Sequence, residues 1–167
     1  MTTTAPLNVL FLCTHNSARS ILAEALLNSM AGDRFRAYSA GSSPRENQHP
    51  HPMGLKVLQT AGFSTKGLRS KSWEEFAAPG APHMDLIITV CDNAAGEVCP
   101  IWPGHPATAH WGYPDPSDGN ASDEQKLEAF RKTLHMIKRR LDLLINLPAS
   151  KLGKSDLQGS ARDLASK

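Results

Sequence analysis

The chain has 167 residues, enough for one ordinary domain with a core that needs no disulfide staples. Hydrophobic residues at 40% and charged residues at 20% mark a soluble globular class, and 18 basic against 16 acidic residues leave a net charge of +2, too weak to argue for a nucleic-acid or membrane partner. No apolar run approaches the roughly 20 residues of a membrane helix, and Met1–Pro6 lacks the charged-then-apolar pattern of a signal peptide, so a cytoplasmic protein is expected. Three cysteines are an odd number in a chain with no need of bridges, which points to catalysis, redox chemistry or inert burial.

Taken in chain order, LNVLFL over 7–12 reads as a buried parallel strand. A polar loop at 13–20 precedes ILAEALLNSMAG, whose apolar positions 21, 22, 25, 26 and 30 have helical spacing, with Gly32 as the stop. Residues 35–39 predict a second strand ending in Ala40-Gly41, 42–52 a loop rich in proline, and 53–61 a short helix closed by Gly62. A helical turn is expected at 73–77, a third buried strand at 85–90 and a weaker strand at 107–111. After Ser122, the residues Leu127, Phe130, Leu134, Ile137, Leu141 and Leu144 form one apolar stripe on a long helix, and Ser122 with Gln125 fits a capping box. Residues 1–147 therefore read as a single catalytic α/β domain, and 148–167 as a peripheral tail or short helix. Strands alternating with helices predict a three-layer α/β/α arrangement around a four-stranded parallel sheet. Sites in such folds lie at the carboxyl ends of strands, where Cys13 and Cys91 both fall.

The loop CTHNSARS sets Cys13 and Arg19 five residues apart, between a strand and a helix. Backbone N–H groups of Thr14, His15, Asn16, Ser17, Ala18, Arg19 and Ser20, converging at a helix N-terminus, suit a tetrahedral oxyanion. Arg19 offers a bidentate fork, and Ser20 is placed to donate to the Cys13 sulfur. The same field is expected to depress the Cys13 pKa and make its thiolate an in-line nucleophile. No glycine-rich P-loop or dinucleotide fingerprint is present. By pattern alone Asp115-Pro116 is a turn, and Cys91 and Cys99 are open between redox chemistry and inert burial; C-x7-C with His105 and His110 is not a zinc spacing.

Strand-C-x5-R-S-helix, the late Asp115-Pro116 pair and a final long helix together resemble the low-molecular-weight protein tyrosine phosphatase superfamily. Within it, CTHNSARS, Ser39-Ala40-Gly41, Cys91, Cys99 and His110-Trp111-Gly112 resemble the arsenate reductases, over about 9–145. The resemblance implies an arsenate-to-arsenite reductase in which Cys13 is the nucleophile, Arg19 the oxyanion clamp and Asp115 the general acid. It further implies a relay in which Cys91 attacks Cys13 and Cys99 then attacks Cys91, ending at an external reductant. Thioredoxin, or glutaredoxin with glutathione, would fill that last role, and no tightly bound cofactor is expected. By the same resemblance, Asn16, Glu24 and Ser39 match part of a potassium site. The alternative is a phosphatase acting on phosphomonoesters such as phosphotyrosine, with Cys91 and Cys99 as bystanders. Ser117, Asp118, Gly119 and Asn120 stand where such phosphatases carry aromatic residues, which favours a small inorganic oxyanion. His49 and His51 in QHPHP read as solvated loop residues.

Overall fold

A computed structural model describes residues 6–91, 106–117, 121–153 and 156–167. Strand β1 (Leu7–Cys13) runs through the centre of the molecule. Its alternation sends Val9, Phe11 and Cys13 to one face and Leu10 and Leu12 to the other, and all five are buried. Burial on both faces is why the segment is continuously apolar and not alternating with polar residues. With β2 (Phe35–Gly41), β3 (Leu86–Thr89) and β4 (Ala107–His110) it forms a four-stranded sheet of order β2-β1-β3-β4, parallel throughout.

The register sets Cys13 beside Gly41, Leu12 beside Thr89 and Thr89 beside His110, so the carboxyl ends line one edge. The chain leaves β1 toward β2 and later returns to β1's other side as β3. That reversal is the switch point at which open α/β sheets bind ligands, and the β1–α1 loop lies there.

Helix α1 (Arg19–Ala31) crosses between β1 and β2, and α2 (Pro52–Thr60) and α4 (Asp123–Ile145) pack beside it on the same face of the sheet. The stripe Phe130, Leu134, Ile137, Leu141 and Leu144 of α4 is buried there. Its start is closed by the expected capping box: Gln125 N–H donates to Ser122 Oγ and Ser122 N–H to Gln125 Oε1. Such a cap contributes about 1 kcal/mol. The opposite face is thinner: α3 (Glu74–Ala77) brings Phe76, with Trp73 and Met84, against Leu10, Leu12, Ala40 and Ile87.

Residues 157–164 form α5 (Leu157–Leu164), which buries Leu157, Ala161 and Leu164 in the main core. The edge strand explains its position. Gln158 Oε1 accepts the Thr108 N–H and Arg162 donates to the Thr108 carbonyl, so α5 satisfies backbone groups that β4 presents outward. Trp111, fully buried, fastens the same helix by donating Nε1–H to the Ala161 carbonyl at 2.9 Å. Among the described residues no helix is long and apolar enough to cross a membrane.

Candidate active site

Residues 13–18 form the turn between β1 and α1, and Arg19 is the first residue of the helix. The turn depends on Asn16, which has φ 55°, in the left-handed region, and is fully buried. Asparagine tolerates this conformation when its short amide finds local partners. Here Nδ2 donates to Ser20 Oγ at 2.8 Å, Oδ1 accepts the Lys71 N–H at 3.0 Å, and the Asn16 carbonyl accepts from Ser70 Oγ at 2.5 Å. The outer carbonyls of the turn are also tied down: Cys13 accepts from Ser42 N–H, Thr14 from Ser43 N–H and Ser17 from His51 N–H. The backbone N–H groups of Asn16 and Ser20 turn inward, toward the Cys13 sulfur. Gly41 completes the cradle. A Cβ there would lie 2.7 Å from the Thr14 carbonyl oxygen and 2.9 Å from both Asn16 N and the His15 carbonyl carbon.

Cys13 Sγ is 2.8 Å from Ser20 Oγ, the contact expected from sequence, and the residue is only 3% exposed. Burial pushes the thiol above its ordinary range, outweighing the Ser20 hydrogen bond and the two inward N–H groups, while Cys91 adds to the rise. The expected depression of this pKa is therefore corrected: the strand end that positions the sulfur also withdraws it from water.

Arg19 is held by the Tyr113 carbonyl, to which its Nη1 donates at 2.9 Å, and its Nη2 is 3.8 Å from Asp115 Oδ2. Asp115 accepts from the Ser117 N–H at 2.9 Å and the Ser117 hydroxyl at 2.7 Å. Partial burial raises its pKa, but the Ser117 bonds, Arg19 and His51 together hold the carboxyl below its ordinary range. It is a carboxylate at neutral pH.

Cys91 follows β3 and is also buried, with its Sγ 3.5 Å from Thr14 Oγ1. The structure thus brings together Cys13, Arg19, Asp115 and Cys91. Cys99 lies outside the described residues, as do His105 and Asp118–Asn120. Among the described residues no cluster of three or more His, Cys, Asp or Glu is placed to hold a metal ion.

The turn helps to line a cleft of about 650 Å³, together with Arg45, Gln48, His49, His51, Asp115 and Ser117. The QHPHP loop is thus a wall of the site. His51 caps α2 by accepting the Met53 N–H at 3.2 Å, and its ring packs 4.8 Å from that of Phe130. Burial lowers its pKa. A residue with a free side-chain acceptor directly before Pro52 at the helix start was a readable signal for this cap.

The residues matched to a potassium site do assemble, but they do not fit that ion. Lys71 Nζ lies 2.8 Å from both the Ser39 and Arg69 carbonyl oxygens and 3.7 Å from Glu24 Oε1. Glu24 Oε1 also accepts from Ser39 Oγ at 2.6 Å, and Asn16 Oδ1 is engaged by the Lys71 N–H. A lysine side chain stands where the potassium expectation put a cation. Nothing in the spacing of the sequence placed Lys71 behind the loop.

The α/β fold thus holds a buried cysteine at a helix N-terminus, in one cleft with an arginine and a carboxylate. The family model for low molecular weight phosphotyrosine protein phosphatases matches residues 8–156, and the chain belongs to that family. An arsenate reductase of Halalkalibacterium halodurans is 33% identical over 133 residues, covering 80% of this chain and 91% of that protein. Among solved structures, an arsenate reductase in its oxidized state superposes with a TM-score of 0.65 at 27% identity, over 83% of this chain and 95% of the other. A thioredoxin-dependent arsenate reductase of Corynebacterium glutamicum superposes with a TM-score of 0.56 at 26% identity, over 86% of this chain and 65% of the other.

Proposed function

We propose that this protein reduces arsenate to arsenite, using Cys13 and Cys91 as the two-electron donor and an external thiol reductant to restore them. The observation that carries this reading is the second buried free thiol: Cys91 Sγ lies 3.5 Å from Thr14 Oγ1, on the residue directly after Cys13. Hydrolysis of a phosphomonoester needs Cys13, Arg19, Asp115 and water, and has no use for Cys91.

The chemistry follows from the resting charge states. Arsenate enters as an anion, drawn by the helix end, Arg19 and Arg45. Arg19 grips two of its oxygens. As Cys13 attacks arsenic, its proton passes to the Asp115 carboxylate, which returns it to the departing oxygen, and that oxygen leaves as water. Asp115 is therefore a proton shuttle, charged at rest, in place of a standing acid. With one further proton taken from solvent, the adduct carries arsenic bonded to the Cys13 sulfur, one oxo oxygen and two hydroxyl groups. Cys91 then attacks the Cys13 sulfur; the S–As bond breaks with its electron pair retained by arsenic. Arsenic goes from +5 to +3, a 13–91 disulfide forms, and the Cys91 proton passes to the oxo oxygen, so arsenite leaves as neutral arsenous acid. Two thiols, one dihydrogen arsenate anion and one solvent proton thus give one disulfide, one arsenous acid and one water.

Cys99 exchanging onto Cys91 would carry the oxidising equivalents outward to a thioredoxin or a glutaredoxin–glutathione couple. Residues 1–147 carry this machinery, with 148–167 as a covering segment. Mass mapping of arsenate-treated Cys99→Ser protein tests the order of exchange. A trapped 13–91 bridge is expected; continued turnover with thioredoxin and no accumulated bridge would remove Cys99 from the relay.

A further inference from the structure

We propose that Lys71 is the resident cation of the oxyanion loop, a tethered ammonium that makes the loop independent of any bound monovalent metal ion. The inference rests on the oxyanion-loop reading above and names what stiffens that loop. Lys71 Nζ faces three oxygens: the Ser39 and Arg69 carbonyls at 2.8 Å each and Glu24 Oε1 at 3.7 Å. Two carbonyl oxygens hydrogen-bonded to Nζ and a carboxylate oxygen within ion-pair distance favour the ammonium form, against the burial that lowers the Lys71 pKa. The Lys71 side chain is 9% exposed and that of Glu24 14%, so little water screens the pair.

The same residue reaches the catalytic turn through its backbone. The Lys71 N–H donates to Asn16 Oδ1, its carbonyl accepts from Gly41 N–H, and neighbouring Ser70 Oγ donates to the Asn16 carbonyl. Residues 70–73 form a strap under the loop, bridged at Ser72 to Gly41 and completed by the Trp73 N–H on the Gly41 carbonyl. The ammonium anchors this strap to β2 through Ser39 and to α1 through Glu24, the two elements that flank the turn. The strap in turn holds Asn16 in its left-handed conformation. Asn16 Nδ2 and Cys13 Sγ both meet Ser20 Oγ, so the chain of contacts ends at the nucleophile. Lys71 is a positioning residue: it touches no reacting atom.

The test compares the wild type with Lys71→Met, which keeps the buried stem and vacates only the ammonium position. Melting temperature and affinity for inorganic phosphate are measured in potassium, ammonium and tetramethylammonium chlorides at matched ionic strength. The wild type is expected to show the same values in all three. Lys71→Met should bind phosphate on the order of tenfold or more weakly in tetramethylammonium, as for groups one layer behind a binding site. Potassium or ammonium should restore much of the loss. If the variant does not fold in tetramethylammonium, restoration of the fold by those ions is the same result. A potassium-specific gain in the wild type, a Lys71→Met protein equal to wild type without added ions, or a loss that neither ion repairs would overturn the proposal. A wild type that binds no oxyanion would instead defeat the oxyanion-loop reading, and the melting temperatures would still judge Lys71.

Discussion

Replacing Gly41 by alanine adds one methyl group at the point where β2 passes behind the catalytic turn. The new carbon would sit 2.7 Å from the Thr14 carbonyl oxygen and 2.9 Å from Asn16 N and the His15 carbonyl carbon. All three are backbone atoms of the cradle itself, so no side chain can rotate away. Overpacking of this kind costs about 1–3 kcal/mol. If the strand and sheet absorb it, the melting temperature falls by about 2–12 °C, at about 2–4 °C per kcal/mol for a chain of this size. If the turn absorbs it, the N–H groups around the anion splay, and the same energy weakens oxyanion binding by about 5- to 150-fold. Thermal unfolding and calorimetric titration with inorganic phosphate read both quantities on one preparation. A Gly41→Ala protein that melts and binds like the wild type would refute the argument that backbone contact between β2 and the turn shapes the site.

Asp115→Asn keeps the shape of the side chain but cannot accept a proton, and should slow turnover by about 10²–10⁴-fold with oxyanion affinity little changed. For Cys13, the raised pKa predicts slow alkylation by iodoacetamide at neutral pH, with the rate rising only above the ordinary thiol range; fast modification at pH 7 would contradict it. The sign for stability follows. Below the ordinary thiol pKa both folded and unfolded Cys13 are protonated; above it the unfolded chain ionises first, so stability declines as pH rises, and Cys13→Ser should remove part of that decline. Trp111→Phe leaves the Ala161 carbonyl without its indole donor at the α5 contact; a loss of about 1–3 kcal/mol in chemical denaturation is expected.

What could be read before the structure was what local pattern specifies. The apolar run of β1, the Ser122–Gln125 box and the stripe of α4 each carry their own period or cap, and each folds as that pattern requires. Cys13 and Arg19 were legible because their spacing, strand before and helix after, is itself the geometry of the turn. What escaped is held together across the fold. Lys71 reaches Asn16 from 55 positions away and Trp111 reaches Ala161 from 50, and no spacing announces either. The Cys13 pKa went the opposite way from expectation because the helix end was visible in sequence and the depth of burial was not. The wall contributed by His51 was missed for a related reason: a proline-rich loop reads as solvent-exposed until the packing of Phe130 against it is known.

The central claim is that two thiols, not one, serve the chemistry. It is tested most directly by following NADPH oxidation with arsenate in wild type and Cys91→Ser, supplying the thioredoxin couple and separately the glutathione–glutaredoxin couple, beside hydrolysis of an aryl phosphate. Arsenate-dependent oxidation that disappears in Cys91→Ser, with feeble hydrolysis in both proteins, is the predicted result, and the couple that supports it names the reductant. Brisk hydrolysis indifferent to Cys91, with no arsenate-dependent oxidation by either couple, would contradict the account and leave a phosphatase with a bystander cysteine.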